Sequence, residues 1–99
     1  MITKMVKFKS QSETTNEQIL SVLDKMINGL QKNQNGFIDA ELVKAMEDNT
    51  WRIIYHYESI DQVKTSGEKL RASAIFHEFT KLIEPGSTVV NFFKPLSKY

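Results

Sequence analysis

Lys4 to Lys9 alternates in polarity. Val6 and Phe8 fall on one face of an extended segment, and Met5, Lys7 and Lys9 on the other. That period of two predicts a half-covered strand. The polar stretch Ser10 to Asn16 reads as a loop. It ends in capping-box spacing, Thr14 with Glu17 or Thr15 with Gln18. In either pair a hydroxyl accepts an orphan amide and the N3 side chain reaches back. Ile19, Leu23, Met26, Ile27 and Leu30 then recur at three and four residues, which predicts an amphipathic helix of about four turns. Gly36 ends the following polar run and supplies a positive φ that a side chain would resist.

The next segment, Phe37 to Val43, alternates loosely. Ile38, Ala40 and Leu42 fall on one side, and Phe37, Asp39, Glu41 and Val43 on the other. Glu47-Asp48-Asn49 is a turn signal. Thr50 to Glu58 is the strongest strand, dominated by aromatic and β-branched residues. Trp51, Ile53, Tyr55 and Tyr57 share one face, and Arg52, Ile54, His56 and Glu58 the other. Ser59, with Gln62 as its box partner, starts a second helix. Its apolar phase slips near Ser66-Gly67 and again near Ser73, which predicts a kink or a second short helix before Pro85-Gly86 stops it. Ser87 to Lys94 supplies the last strand, and Pro95 ends it.

The order is β-α-β-β-α-β. It predicts an α+β, ferredoxin-like sandwich in a single domain over residues 1–99: a four-stranded antiparallel sheet with its helices on one face. The opposite face meets water unless something covers it. Strands three and four carry apolar residues on both sides, so the expected partner is a second copy, pairing open sheet faces across a two-fold axis.

Composition narrows the function. Thirteen Lys and Arg against twelve Asp and Glu leave a net charge of +1, without the basic excess of a nucleic-acid binder. The absence of cysteine excludes disulfides, a thiolate metal site and a thiol nucleophile. No apolar run suits a membrane span, and the N-terminal residues lack a secretory h-region. The expected location is cytoplasmic.

Three stretches together resemble the antibiotic biosynthesis monooxygenase family of dimeric α/β-barrel proteins. Gly36-Phe37-Ile38-Asp39-Ala40-Glu41-Leu42 is similar to the family's glycine-led second strand. Trp51 to Ser59 resembles its third strand running into a helix cap, with Tyr57 where a Trp is common. Ala72 to Phe79 resembles the short second segment of its last helix. The resemblance implies two chains pairing sheets into a barrel, with a pocket in each chain between sheet and helices. It implies oxygenation of a small aromatic or quinol-type compound with no metal, flavin or other cofactor. The haem-degrading branch fits poorly: strand one has Lys7 and Lys9 but no Asn, and the only Trp, Trp51, is on a strand.

Within that frame His56 and His77 are the candidate bases, since imidazole titrates near neutrality. The plainer alternatives are an interface His bonded to a neighbour and a surface His beside Glu78. Trp51, Tyr55 and Tyr57 could wall a cavity for a planar ligand, or simply be core or dimer interface. Arg52 could hold an anionic ligand. Phe76, Phe79, Phe92 and Phe93 read as packing, and Met5, Met26 and Met46 as gap fillers. No metal site is expected. Gln31 to Leu42 mimics a calcium loop around Gly36, but Gln31 and Leu42 stand where carboxylate ligands are required. Enzyme and non-enzymatic ligand-binding homodimer both remain open, and the contents of the cavity should separate them.

Overall fold

Strand pairing follows the alternation closely. The computed structural model describes residues 1–99. Four strands, β1 (Ile2–Lys9), β2 (Phe37–Lys44), β3 (Thr50–Tyr57) and β4 (Val89–Phe93), form one antiparallel sheet in the order β2-β3-β1-β4. Three helices, α1 (Asn16–Gly29), α2 (Ile60–Arg71) and α3 (Ala74–Thr80), cover one face, with a short 3-10 turn at Gln31–Asn33. This is the ferredoxin-like arrangement. The last helical region is broken in two, with Ser73 capping α3 through the Phe76 amide.

Local chemistry explains the boundaries. Of the two possible boxes, Thr15 with Gln18 forms: Gln18 N donates to Thr15 Oγ1 at 3.2 Å and Thr15 N to Gln18 Oε1 at 2.8 Å. Thr14 instead donates its hydroxyl to the Leu82 carbonyl, tying the loop before α1 to the end of the helical layer. Gly36 has φ 87°, and the Gln62 side chain lies where its Cβ would stand. Ser59 caps α2, but Gln62 meets the Ser59 hydroxyl rather than its backbone amide. The last helix ends at Thr80, ahead of Pro85-Gly86. The chain is drawn out there by strand-like pairing, with Ile83 bridging Ser10 and Glu84 N donating to Lys9 O.

The core lies between sheet and helices. Trp51, Ile53, Tyr55 and Tyr57 from β3 and Phe8 from β1 are buried against Ile19, Leu23 and Met26 of α1 and Val63 and Leu70 of α2. Phe8 stacks on Trp51 and meets Phe79 edge-on at 5.0 Å. No helix is long and apolar enough to cross a membrane.

Three expectations need correction. A bulge between Phe37 and Asp39 shifts the parity of β2. Phe37 therefore turns inward, edge-on to Tyr57 at 5.7 Å, while Ile38 faces out. Met46 fills no gap; it lies in the β2–β3 turn, almost wholly exposed. Phe92 and Phe93 are about half exposed, because β4 is an edge strand that no helix fully covers. On the open face, Met5, Val43, Ile54, Val89 and Phe93 intermingle with Lys7, Glu41 and Arg52, so neither face of the sheet is cleanly polar.

Candidate functional site

A cavity of about 260 Å³ lies between the sheet and the helices α2 and α3. Strand alternation builds its floor: Val6, Ile53 and Val90 are register neighbours or share the covered face. Its roof is Leu70 of α2 with Phe76 and Phe79 of α3, and Met26 closes one side. The break between α2 and α3 aims Phe76 and Phe79 into this space. Nine of its fourteen lining residues are hydrophobic, so a planar apolar ligand would meet mostly apolar surface here.

Two cations interrupt the apolar lining. Lys4 lies on the covered face because it shares parity with Val6 and Phe8. Arg71 ends α2 and faces the same space. Lys4, Gly67, Arg71 and Val90 also line a groove outside the cavity, so they form the rim between the two. Burial, and then the charge of Arg71, lower the Lys4 pKa from its ordinary value of 10.5. The Lys4 ammonium stands 5.5 Å from the centre of the Tyr55 ring. No carboxylate lies within ion-pair distance of Lys4 or Arg71.

Of the aromatic candidates, Tyr55 alone lines the cavity. Its hydroxyl donates to Gln31 Oε1 at 2.9 Å, and burial pushes its pKa up. Tyr57 is buried outside the cavity, hydrogen-bonded at 3.2 Å to Ser66, with its pKa also raised by burial. Trp51 packs in the core, where its indole N–H donates to Ser10 Oγ at 3.2 Å.

The remaining candidates lie elsewhere. His56 is on the open face of the sheet, with Nδ1 2.5 Å from Asp39 Oδ1. It borders a wide hollow shared with Thr3 and the C-terminal residues Pro95 to Lys98. Arg52 occupies the same open face, between Lys7 and Val43. His77 is exposed on α3, although its neighbour Phe76 lines the cavity. The structure thus brings Tyr55 to the cavity and leaves both imidazoles and Arg52 outside it. Sequence reasoning passed over Lys4, Gly67 and Arg71. A readable signal existed for Lys4, a charged residue in phase with Val6 and Phe8. Arg71 had none, since its partners come from distant segments.

A third hollow, between α2 and the turn before β2, is wholly polar, lined by Gln34, Gln62, Ser66 and Lys69 among others. Ser66 donates to Gln34 Oε1 there, and Gln34 Nε2 is buried without a partner.

The family model for antibiotic biosynthesis monooxygenase matches residues 1–81. No curated protein matches the chain. Among solved structures, SnoaB, a cofactor-independent oxygenase from Streptomyces nogalater, superposes with a TM-score of 0.73 at 16% identity, covering 98% of this chain and 94% of that one. A protein from Caulobacter crescentus CB15 gives 0.76 at 16% identity over 97% and 90% of the two chains. A conserved protein from Methanosarcina mazei Go1 gives 0.73 at 13% over 94% and 90%. At these identities the likenesses establish the fold.

Proposed function

Because the chain belongs to the antibiotic biosynthesis monooxygenase family, we propose that it acts as a cytoplasmic homodimer that oxygenates a small aromatic or quinol-type compound without a cofactor. The observation that carries this reading is the apolar cavity with a cationic rim. Its size suits a molecule of about two rings. A positive rim lowers the pKa of a phenolic hydroxyl beside it, so the electron-rich, ionised ring accumulates. Apolar walls keep water away from the reactive ring and its oxidised intermediates.

The chemistry then balances within the substrate. A quinol and dioxygen yield a hydroxyquinone and water. The two quinol O–H bonds and one ring C–H bond are lost, and one ring C–OH bond forms. One oxygen atom enters the ring, the other leaves as water, and the substrate supplies every electron. SnoaB, a cofactor-independent oxygenase of like fold, supports this class of reaction.

A second reading, ligand binding without turnover, is favoured by one observation: both imidazoles stand outside the cavity. Oxygen uptake separates the two. With naphthoquinol- and anthrone-type compounds, the protein should consume oxygen faster than the compounds do alone. Val90→Trp, which fills the rim from an edge strand, should lower that rate, while His56→Ala and His77→Ala keep it. No uptake above background with any compound favours the binding reading, and loss of uptake in His56→Ala moves the site to the open face.

A further inference from the structure

Lys4 and Arg71 are an uncompensated pair. Lys4 is half-buried among apolar neighbours, and no carboxylate lies within ion-pair distance of either cation. Glu68 and a third cation, Lys64, line the outer groove, and Glu68 pairs with none of the three. Burial strips hydration from Lys4 while Arg71 stays exposed beside it, and the repulsion between the two like charges is relieved when an anion joins them. The Tyr55 ring offers Lys4 only a weak cation–π contact.

Gly67 is an independent sign. It is buried in the middle of α2, where glycine costs about 1 kcal/mol relative to alanine. A Cβ there would stand 3.1 Å from Arg71 Nη1, tight enough that the guanidinium would have to give by a few tenths of an ångström. The bare position lets the guanidinium lie back over the helix. The helix dipole accounts for a cation in the last turn of α2, but not for one laid across a glycine beside a second cation.

We infer that Lys4 and Arg71, seated by Gly67, form an anion-holding rim, so that the ligand is an aryl carboxylate with its rings in the cavity and its acid group at the mouth. The inference rests on the reading of the cavity as a small-aromatic site and names its substrate class. Arg71 offers the planar fork that suits a carboxylate, and Lys4 a point charge from the other side. Gly67 is a positioning residue, acting through Arg71.

Calorimetric titration of the full chain with 2-naphthoate and with its neutral isostere 2-naphthamide reads the rim without requiring turnover. The acid should bind about tenfold tighter than the amide. That preference should vanish in Lys4→Met and in Lys4→Gln, each checked for native circular dichroism. Gly67→Ala should keep or raise the melting temperature while weakening naphthoate and sparing naphthamide. A purely structural effect would move both ligands together. Equal binding of acid and amide, or a preference that survives both Lys4 variants, overturns the anionic rim and leaves the aromatic cavity standing. Failure of both compounds to bind overturns cavity and rim alike. A protein that prefers naphthoate yet never consumes oxygen upholds the rim and removes only the oxygenation.

Discussion

Tyr55 shows how one residue can serve both core and cavity. Its ring lines the hollow while its hydroxyl is held by Gln31, itself almost completely buried. Tyr55→Phe leaves Gln31 Oε1 without its donor and should cost about 1–3 kcal/mol, read from the urea midpoint at neutral pH. The pH dependence has a definite sign. Both buried phenols have pKa values raised above the ordinary 10.0, so above that pH the folded chain retains protons that the unfolded chain releases. Stability should therefore be unaffected by them below pH 10.0 and fall above it, less steeply in Tyr55→Phe. Lys4 acts in the opposite sense, because its pKa is lowered. The cost of its charge in the fold is full at neutral pH and is relieved as pH rises toward 10.5. The parity of Tyr55 was legible in the sequence, since aromatic and β-branched residues alternate cleanly along β3. Its bond to Gln31 was not, because a glutamine in a short 3-10 turn carries no local sign that it will be buried.

At the scale of elements, boundaries that rest on local chemistry could be read in advance. The Thr15–Gln18 box and the Ser59 cap are contacts among neighbours, so spacing suffices to place them. Gly36 is similar, needed for a left-handed turn. Gly36→Ala should destabilise by about 1–3 kcal/mol, because alanine resists that φ and its Cβ collides with Gln62; thermal unfolding checks this. Features that depend on distant pairing escaped. The β2 bulge follows from how Asp39 and Phe37 register against His56 and Tyr57, which a strict period of two does not contain. The early end of α3 depends on Lys9 and Ser10, far away in the chain. The candidate site belongs to the same class: the cavity joins β1, β3, β4 and all three helices, so among its residues the sequence marked only Tyr55 as a ligand-facing candidate and Met26, Phe76 and Phe79 as packing.

The whole molecule presents two different surfaces. Helices shelter one face of the sheet, while the other exposes Met5, Val43, Ile54, Val89 and Phe93 among charges. A second copy seated there across a two-fold axis would bury the apolar stripe. Sedimentation at micromolar concentration should accordingly give a dimer, weakened by Ile54→Lys; a stable 11.4 kDa species in the native chain contradicts it. The cavity lies on the sheltered side and His56 on the open one, so pairing through the open face would leave the cavity separate from the dimer contact. An amide NMR titration with a two-ring naphthoquinol under anaerobic conditions shows which face takes the ligand. Shifts concentrated on Val6, Tyr55, Leu70, Phe79 and Val90 are the predicted result, and shifts centred on Asp39, His56 and Ser97 would contradict a ligand in the cavity.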